Sequence, residues 1–347
     1  MVMKSCNSMN RVPVEICILV VRKLSVKDLL TMGAIDRRTR SILMPLLHGC
    51  KLLHLLALRG EHSAVEFLVN TKYIDVRVRD AHGMTALHYA AMKGYGHVVQ
   101  LLISDPQHKA FLDAPEARRN DTPLILAARH HNESVVQMLL EKGADINHQN
   151  AHGESVLFWA AKRQRAKLAR NLLKRGADPD QVVRYGLTPL IQAIMEGCFD
   201  LAATLLEAGC NVEQPDSRGY LPLVWAVELD DLAMANLLFS HSASVATLSA
   251  RKGAEHSPLV WAVMKGNVDM VQLLLYHGAS VGHTQPDSQT PLMWAVIHRN
   301  ISVAELLLQN GAVPNEPGIN GETALRWAML NSDREMIRLL LRYKADA

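Results

Sequence analysis

TPLILAARHHNESVVQMLLEKGAD, residues 122–145, is the stretch that decides how this chain folds. It opens with Thr122, whose hydroxyl can accept a hydrogen bond from the free N–H groups of a helix start. Pro123 follows, and its fixed φ suits the first turn. A short apolar run then ends in Ala127 and Ala128, small enough for close packing, and a polar turn at His130 to Asn132 interrupts it. The second apolar run, VVQMLLEKGAD from Val135, repeats at helical spacing and stops at Gly143, a natural left-handed cap. The unit is therefore two short helices joined by a tight turn.

Outward from this stretch the unit recurs. Counterparts of its opening are TALHYAA at Thr85, SVLFWAA at Ser155, TPLIQAI at Thr188, LPLVWAV at Leu221, SPLVWAV at Ser257, TPLMWAV at Thr290 and TALRWAM at Thr323, with a weaker KLLHLLA at Lys51. The spacings are 34, 37, 33, 33, 33, 36, 33 and 33, so nine copies occupy almost everything after residue 50. All five tryptophans (Trp159, Trp225, Trp261, Trp294, Trp327) stand four residues after the first of a unit. Gly143, Gly176, Gly209, Gly278 and Gly311 close second helices, and Lys344 takes that place in the last copy. Segments between units, such as NHQNAHGE and EQPDSRGY, carry the Asn, Asp, Gly and Ser of reversing turns.

Composition is consistent with an elongated array. The 347 residues are 49% hydrophobic, 20% charged and 5% aromatic, which excludes a disordered polymer and a collagen. Net charge is +3, from 37 basic and 34 acidic residues, too small to imply nucleic acid. The five cysteines (Cys6, Cys17, Cys50, Cys198, Cys210) form neither CxxC pairs nor a dense framework, pointing to a reducing compartment, the cytoplasm or nucleus. The apolar run at residues 16–21 is too short for a signal-peptide core, and no stretch approaches the ~18 apolar residues of a membrane span.

Thr-Pro-Leu-His-x-Ala-Ala at the first helix, Leu-Leu-x-x-Gly-Ala-Asp after the second and a period near 33 resemble the ankyrin repeat, and the Trp-Ala variant is similar to many fungal ankyrin arrays. The resemblance implies an all-α ankyrin-repeat solenoid of about nine helix-turn-helix units with short hairpin loops over residues 50–347. It also implies protein–protein interaction through hairpin tips and a concave face. Extra residues in the spacers from Ser104 to Arg119 and from Ser240 to His256 are expected to form longer loops.

Residues 1–10 read as a flexible N-terminus, and residues 11–48 do not fit the repeat. Helices are expected from about Pro13 to Leu24, Val26 to Met32 and Asp36 to Leu47. Val12-Pro13 followed by Glu15, then Ile18-Leu19, Leu24-Ser25, Asp28-Leu29-Leu30 and a basic stretch resemble an F-box, with Thr39 where such modules place an aromatic. The resemblance implies docking on the Skp-type linker of a cullin–RING ubiquitin ligase, through Val12, Pro13, Ile16, Leu19, Leu24, Leu29 and Leu30. The alternative is that the same helices only cap the first repeat, since every solenoid needs its ends covered.

The sequence offers no catalytic or metal constellation. Its sixteen histidines are spread out, with His54 and His88 at the repeat's own His position, and there is no HExxH, paired cysteine or phosphate-binding Gly-rich loop. Cys198 and Cys210 read as small buried hydrophobes and the tryptophan column as packing between repeats. No nucleophile has a base, so we expect no enzyme activity, no cofactor and no metal. The informative signal is charge at positions seven and eight residues into each unit: Arg59, Lys93, Arg129 with His130, Lys162 with Arg163, then Glu196 and Glu228, then Lys265, His298 and Asn331. The first part is basic and the middle acidic, so Arg59, Lys93, Arg129, Lys162, Arg163, Glu196 and Glu228 are the candidate contacts for a protein partner with an acidic segment. Without aromatic interleaving, nucleic acid ranks below that. The function read from the sequence is that of an adaptor, the substrate receptor of a ligase of this type, or a plain ankyrin scaffold or inhibitor.

Overall fold

A computed structural model describes residues 52–70, 75–104, 111–245, 257–282, 289–318 and 321–345. Among these residues the regular elements are eighteen α-helices and one 3-10 turn, with no strand. The helices form nine pairs: α1 (Leu52–Arg59) and α2 (His62–Asn70), α3 (Ala86–Lys93) and α4 (Gly96–Leu102), α5 (Pro123–Arg129) and α6 (Glu133–Glu141), α7 (Val156–Lys162) and α8 (Ala166–Lys174), α9 (Pro189–Met195) and α10 (Phe199–Glu207). They continue with α11 (Pro222–Glu228) and α12 (Leu232–Ser240), α13 (Pro258–Lys265) and α14 (Val268–Tyr276), α15 (Pro291–Ile297) and α16 (Ile301–Gln309), α17 (Ala324–Leu330) and α18 (Arg334–Arg342). The F-box-like residues Val12, Pro13, Ile16, Leu19, Leu24, Leu29 and Leu30 lie outside the described residues.

The hydroxyl residue that opens each motif does what its chemistry implies. Thr122 Oγ1 accepts from the Ile125 N–H at 3.3 Å, and Ser155, Thr188, Ser257 and Thr290 cap α7, α9, α13 and α15 in the same way at 3.2–3.3 Å. Leu221 has no hydroxyl, and α11 starts on Pro222 without a side-chain cap. In the second unit Thr85 works as a pair with His88: Nδ1 of His88 accepts from the Thr85 N–H at 3.0 Å and lies 2.8 Å from Thr85 Oγ1.

Helix ends are set by left-handed residues. Gly143, Gly176, Gly209, Gly278 and Gly311 have φ of 82–92°, and Lys344 takes the same conformation at 65°. The turn between paired helices needs it too: Gly60, Gly94, Gly197 and Gly266 serve in four copies, but His131, Gln164, Asp230, Arg299 and Ser332 occupy it elsewhere at φ 53–67°. Gly94 has a further reason, because Asn132 Nδ2 crosses from the next unit to donate to the carbonyls of Ala91 and Met92 at 2.8 and 2.9 Å. A Cβ on Gly94 would lie 2.5 Å from Asn132 Oδ1.

The chain divides into two compact units, residues up to Arg163 with 175–177, and residues 164–174 with 178–347. In the first, α1, α3, α5 and α7 pack in succession, as do α2, α4 and α6. In the second, α9, α11, α13, α15 and α17 form one row and α8, α10, α12, α14, α16 and α18 the other. The leucine two residues into the strong motifs (Leu87, Leu124, Leu157, Leu190 and their successors) is at most 2% exposed, and the alanine five residues in at most 1%. These two positions form the dry centre of each helix row. Neighbouring hairpins are joined by single bonds, such as Ala117 N–H to the His82 carbonyl at 2.8 Å and Ala151 N–H to the Arg119 carbonyl at 2.7 Å.

In the spacer from Ser104 to Arg119, residues 105–110 lie outside the described ones, and Phe111 and Leu112 are buried, so part of the added sequence feeds the core. The second spacer contains residues 246–256, outside the described ones. The tryptophan column also departs from expectation: Trp159 is buried, but Trp225, Trp261, Trp294 and Trp327 are only half-buried. Their position lies one turn before the charged helix end, so each ring is shared between the repeat interface and the surface.

Leu205 on α10 is fully buried. Its replacement by Ala is expected to lower stability by ~2–5 kcal/mol through a cavity, measured by urea unfolding. A loss under ~1 kcal/mol would mean that α10 is not packed as described.

Candidate partner-binding surface

The first unit gathers positive charge at the ends of successive first helices. Arg59 closes α1 and Lys93 closes α3, both exposed. Arg129 closes α5 half-buried, Lys162 closes α7 exposed, and Arg163 follows it. The residue that brings the last three together is Trp159, on α7 and 5% exposed. Arg129 Cζ stands 5.2 Å from its ring centroid, Lys162 Nζ 5.2 Å and Arg163 Cζ 5.6 Å. Lys162 also lies 5.8 Å from the Phe158 ring. Each contact is a cation–π arrangement.

A buried acid orients the first of these cations. Asp121, 1% exposed, accepts from Arg129 Nη1 at 3.1 Å and from Asn150 Nδ2 at 2.6 Å. Arg119 Nε lies 3.7 Å from the same carboxylate, while Arg119 Nη2 donates to Glu154 at 2.7 Å. Arg119 and Arg129 are thus matched by Asp121 and Glu154. Among the described residues no carboxylate forms an ion pair with Lys162 or Arg163. His130 shows the resulting field: partial burial first, then the charges of Arg129, Lys93, Arg163 and His131, hold its pKa below the ordinary imidazole value.

The second unit has a different surface at the same motif positions. Glu196 is exposed, its carboxylate accepting from Gln192 Nε2 at 2.8 Å and its carbonyl from Gln164 Nε2 at 3.3 Å. Glu228 is half-buried, with a buried Oε2 that has no hydrogen-bond partner among the described residues. Near it Tyr220 sits between Trp225 and Trp261, 6.4 Å from each ring, and Arg218 stacks 4.7 Å over Tyr220 and 4.8 Å over Trp225. His298 stacks 6.0 Å from Trp294.

Asp121 was not among the residues singled out by sequence, and Trp159 was read there as packing between repeats. The signal for Trp159 was present, since position four of a unit lies one turn from position seven on the same helix face. Asp121 had no comparable mark beyond its place before Thr122.

The titratable groups elsewhere are structural in setting. His54 Nε2 lies 3.0 Å from the carbonyls of both Val78 and Met84. Burial pushes the Cys210 thiol up to about 12, away from a reactive thiolate, and raises Cys198 as well. Among the described residues no three of His, Cys, Asp and Glu are placed to hold a metal ion, and no helix is long and apolar enough to cross a membrane.

Comparison with known proteins agrees with this architecture. The profile of the family described as ankyrin repeats (3 copies) matches residues 21–113, 107–183, 157–249 and 259–347, and the chain belongs to that family. The first match begins inside the segment read above as a separate helical module. The mouse B-cell lymphoma 3 protein homolog is 29% identical over 158 residues, 44% of this chain and 32% of that protein. Human neurogenic locus notch homolog protein 2 is 36% identical over 109 residues, 31% of this chain and 4% of that protein. The chain therefore spans a third or less of the curated relatives it matches. Among solved structures, the ankyrin repeat domain of Bcl-3, described as a unique member of the IkappaB protein family, aligns with TM-score 0.57 at 24% identity, covering 64% of this chain and 98% of that one. The human ASB11 ankyrin repeat domain aligns with TM-score 0.53 at 26% identity, covering 65% and 100%. These proteins share the ankyrin architecture with this chain.

His88 gives the fold a specific pH response. Burial drives its pKa down to about 4, against ~6.5 in an unfolded chain. The unfolded state takes up this proton first, so the contribution of neutral His88 is fully present above pH ~6.5 and is lost as pH falls to about 4. Wild type should lose up to ~3 kcal/mol more than His88→Gln over that interval in urea titrations. Parallel losses in the two proteins would contradict the burial of a neutral imidazole.

Proposed function

We propose that the protein is a non-enzymatic interaction scaffold of the cytoplasm or nucleus that captures an acidic segment of a partner protein on the helix ends of its first unit. The observation that carries this reading is the cluster of Arg129, Lys162 and Arg163 around Trp159, in which Lys162 and Arg163 have no carboxylate partner among the described residues. Charges gathered on a ring and left without a carboxylate partner steer and orient an anionic partner. Arg59 and Lys93 extend the basic series along the first unit, and Glu196 and Glu228 are the candidate contacts of the second.

The pattern at residues 12–30 supports a second, finer reading. Here Val12, Pro13, Ile16, Leu19, Leu24, Leu29 and Leu30 dock on a Skp-type linker, and the array serves as substrate receptor of a cullin–RING ligase. Catalysis would then belong to other subunits.

The acidic-partner reading is tested with a fluorescein-labelled peptide of Asp, Glu and Gly and the full chain. Charge reversal at Lys162 and Arg163 should weaken binding about tenfold or more with circular dichroism unchanged, and unchanged affinity would remove this surface from the account. Capture of purified Skp-type linker by the full chain, lost on deleting residues 1–48 from a still folded array, is the result the ligase reading requires. Its absence from the full chain leaves the scaffold.

A further inference from the structure

The charge balance around Trp159 defines its ligand more narrowly than acidity does. Arg119 and Arg129 face Asp121 and Glu154, two cations against two anions, at 2.7 Å for Arg119–Glu154 and 3.1 Å for Arg129–Asp121. What remains at the ring is Lys162 and Arg163, an excess of two positive charges within 5.2 and 5.6 Å of one indole centroid. Lys93 adds to the same field, since it acts together with Arg129 and Arg163 on His130. Like charges on consecutive residues repel each other, and the ring faces attract each cation without neutralising either.

A side-chain carboxylate brings one negative charge, which balances one of these two cations. A phosphate monoester brings ~1.5–2 negative charges near neutral pH and three acceptor oxygens, enough for an ammonium and a guanidinium at once. Arg163 supplies the planar fork that suits a phosphate edge, and Lys162 a mobile point charge. Arg129, held by Asp121, is a third cation at the same ring.

We infer that Lys162 and Arg163, gathered on Trp159, form a subsite for a phosphorylated serine or threonine in the acidic segment of the protein partner. The inference rests on the acidic-partner reading and deepens it: capture by this subsite depends on phosphorylation of the partner.

The test uses the full chain and one labelled acidic peptide of Asp, Glu and Gly with a single central position, made in three forms carrying serine, glutamate or phosphoserine. Fluorescence anisotropy should show the phosphoserine form binding about tenfold or more tighter than the other two. That preference should vanish in Lys162→Gln/Arg163→Gln and persist in Lys265→Gln, whose charge lies in the second unit. Lys162, Arg163 and Lys265 are all exposed, and circular dichroism of each variant against wild type checks that the array stays folded. Equal binding of the three forms would overturn the phosphate subsite while leaving the acidic-partner reading standing, and no binding by any form would overturn both. A phosphoserine preference that survives Lys162→Gln/Arg163→Gln would place the recognition elsewhere and overturn this assignment.

Discussion

The contact on which everything else depends is the one between the first helices of successive repeats. A leucine two residues into the motif and an alanine five residues in are shielded almost completely from solvent, and a hydroxyl at the start fixes where the helix begins. Because the alanine is small, neighbouring helix axes can approach closely, and because the leucine is large, their meeting is dry. Stability in such an array is a sum of repeat terms and nearest-neighbour terms. Exposed residues at the helix ends, such as Lys162 and Arg163, lie beyond this contact and can carry charge in unbalanced form.

That freedom is used differently within each unit. In the first, a ring gathers cations: Trp159 is almost fully covered while the groups over it remain polar and directed to solvent. In the second, the corresponding column is half-buried, with Arg218 stacked on Tyr220 and Trp225 and with carboxylates at Glu196 and Glu228. One motif position, read through different side chains, thus yields unlike surfaces on the same backbone. The variation sits on the ends of rigid elements, where small changes of residue alter recognition without altering packing.

The repeat, the hydroxyl caps and the glycine stops were legible in the sequence because each follows from a local rule with a fixed period. The non-glycine left-handed residues were not, since His131, Gln164, Asp230, Arg299 and Ser332 adopt that conformation at a turn imposed by the two helices they join. The half-buried tryptophans were misjudged by their flanks: Leu and Ala neighbours mark a buried helix, but a residue four positions in lies on the edge of that face. The buried Asp121 and its hold on Arg129 depend on hairpins brought together from consecutive repeats, a relation no local pattern carries. For residues 11–48, the sequence pattern remains the ground for the F-box-like reading.

The central claim is that the cations around Trp159 serve recognition and not the fold. Urea unfolding of Lys162→Gln/Arg163→Gln against wild type, at low and high salt, tests it directly. The account predicts equal or slightly greater stability of the variant, by up to ~0.5 kcal/mol at low salt, with the gain fading as salt screens the repulsion. A loss of more than ~1 kcal/mol would show that these charges hold the array together and would contradict the account.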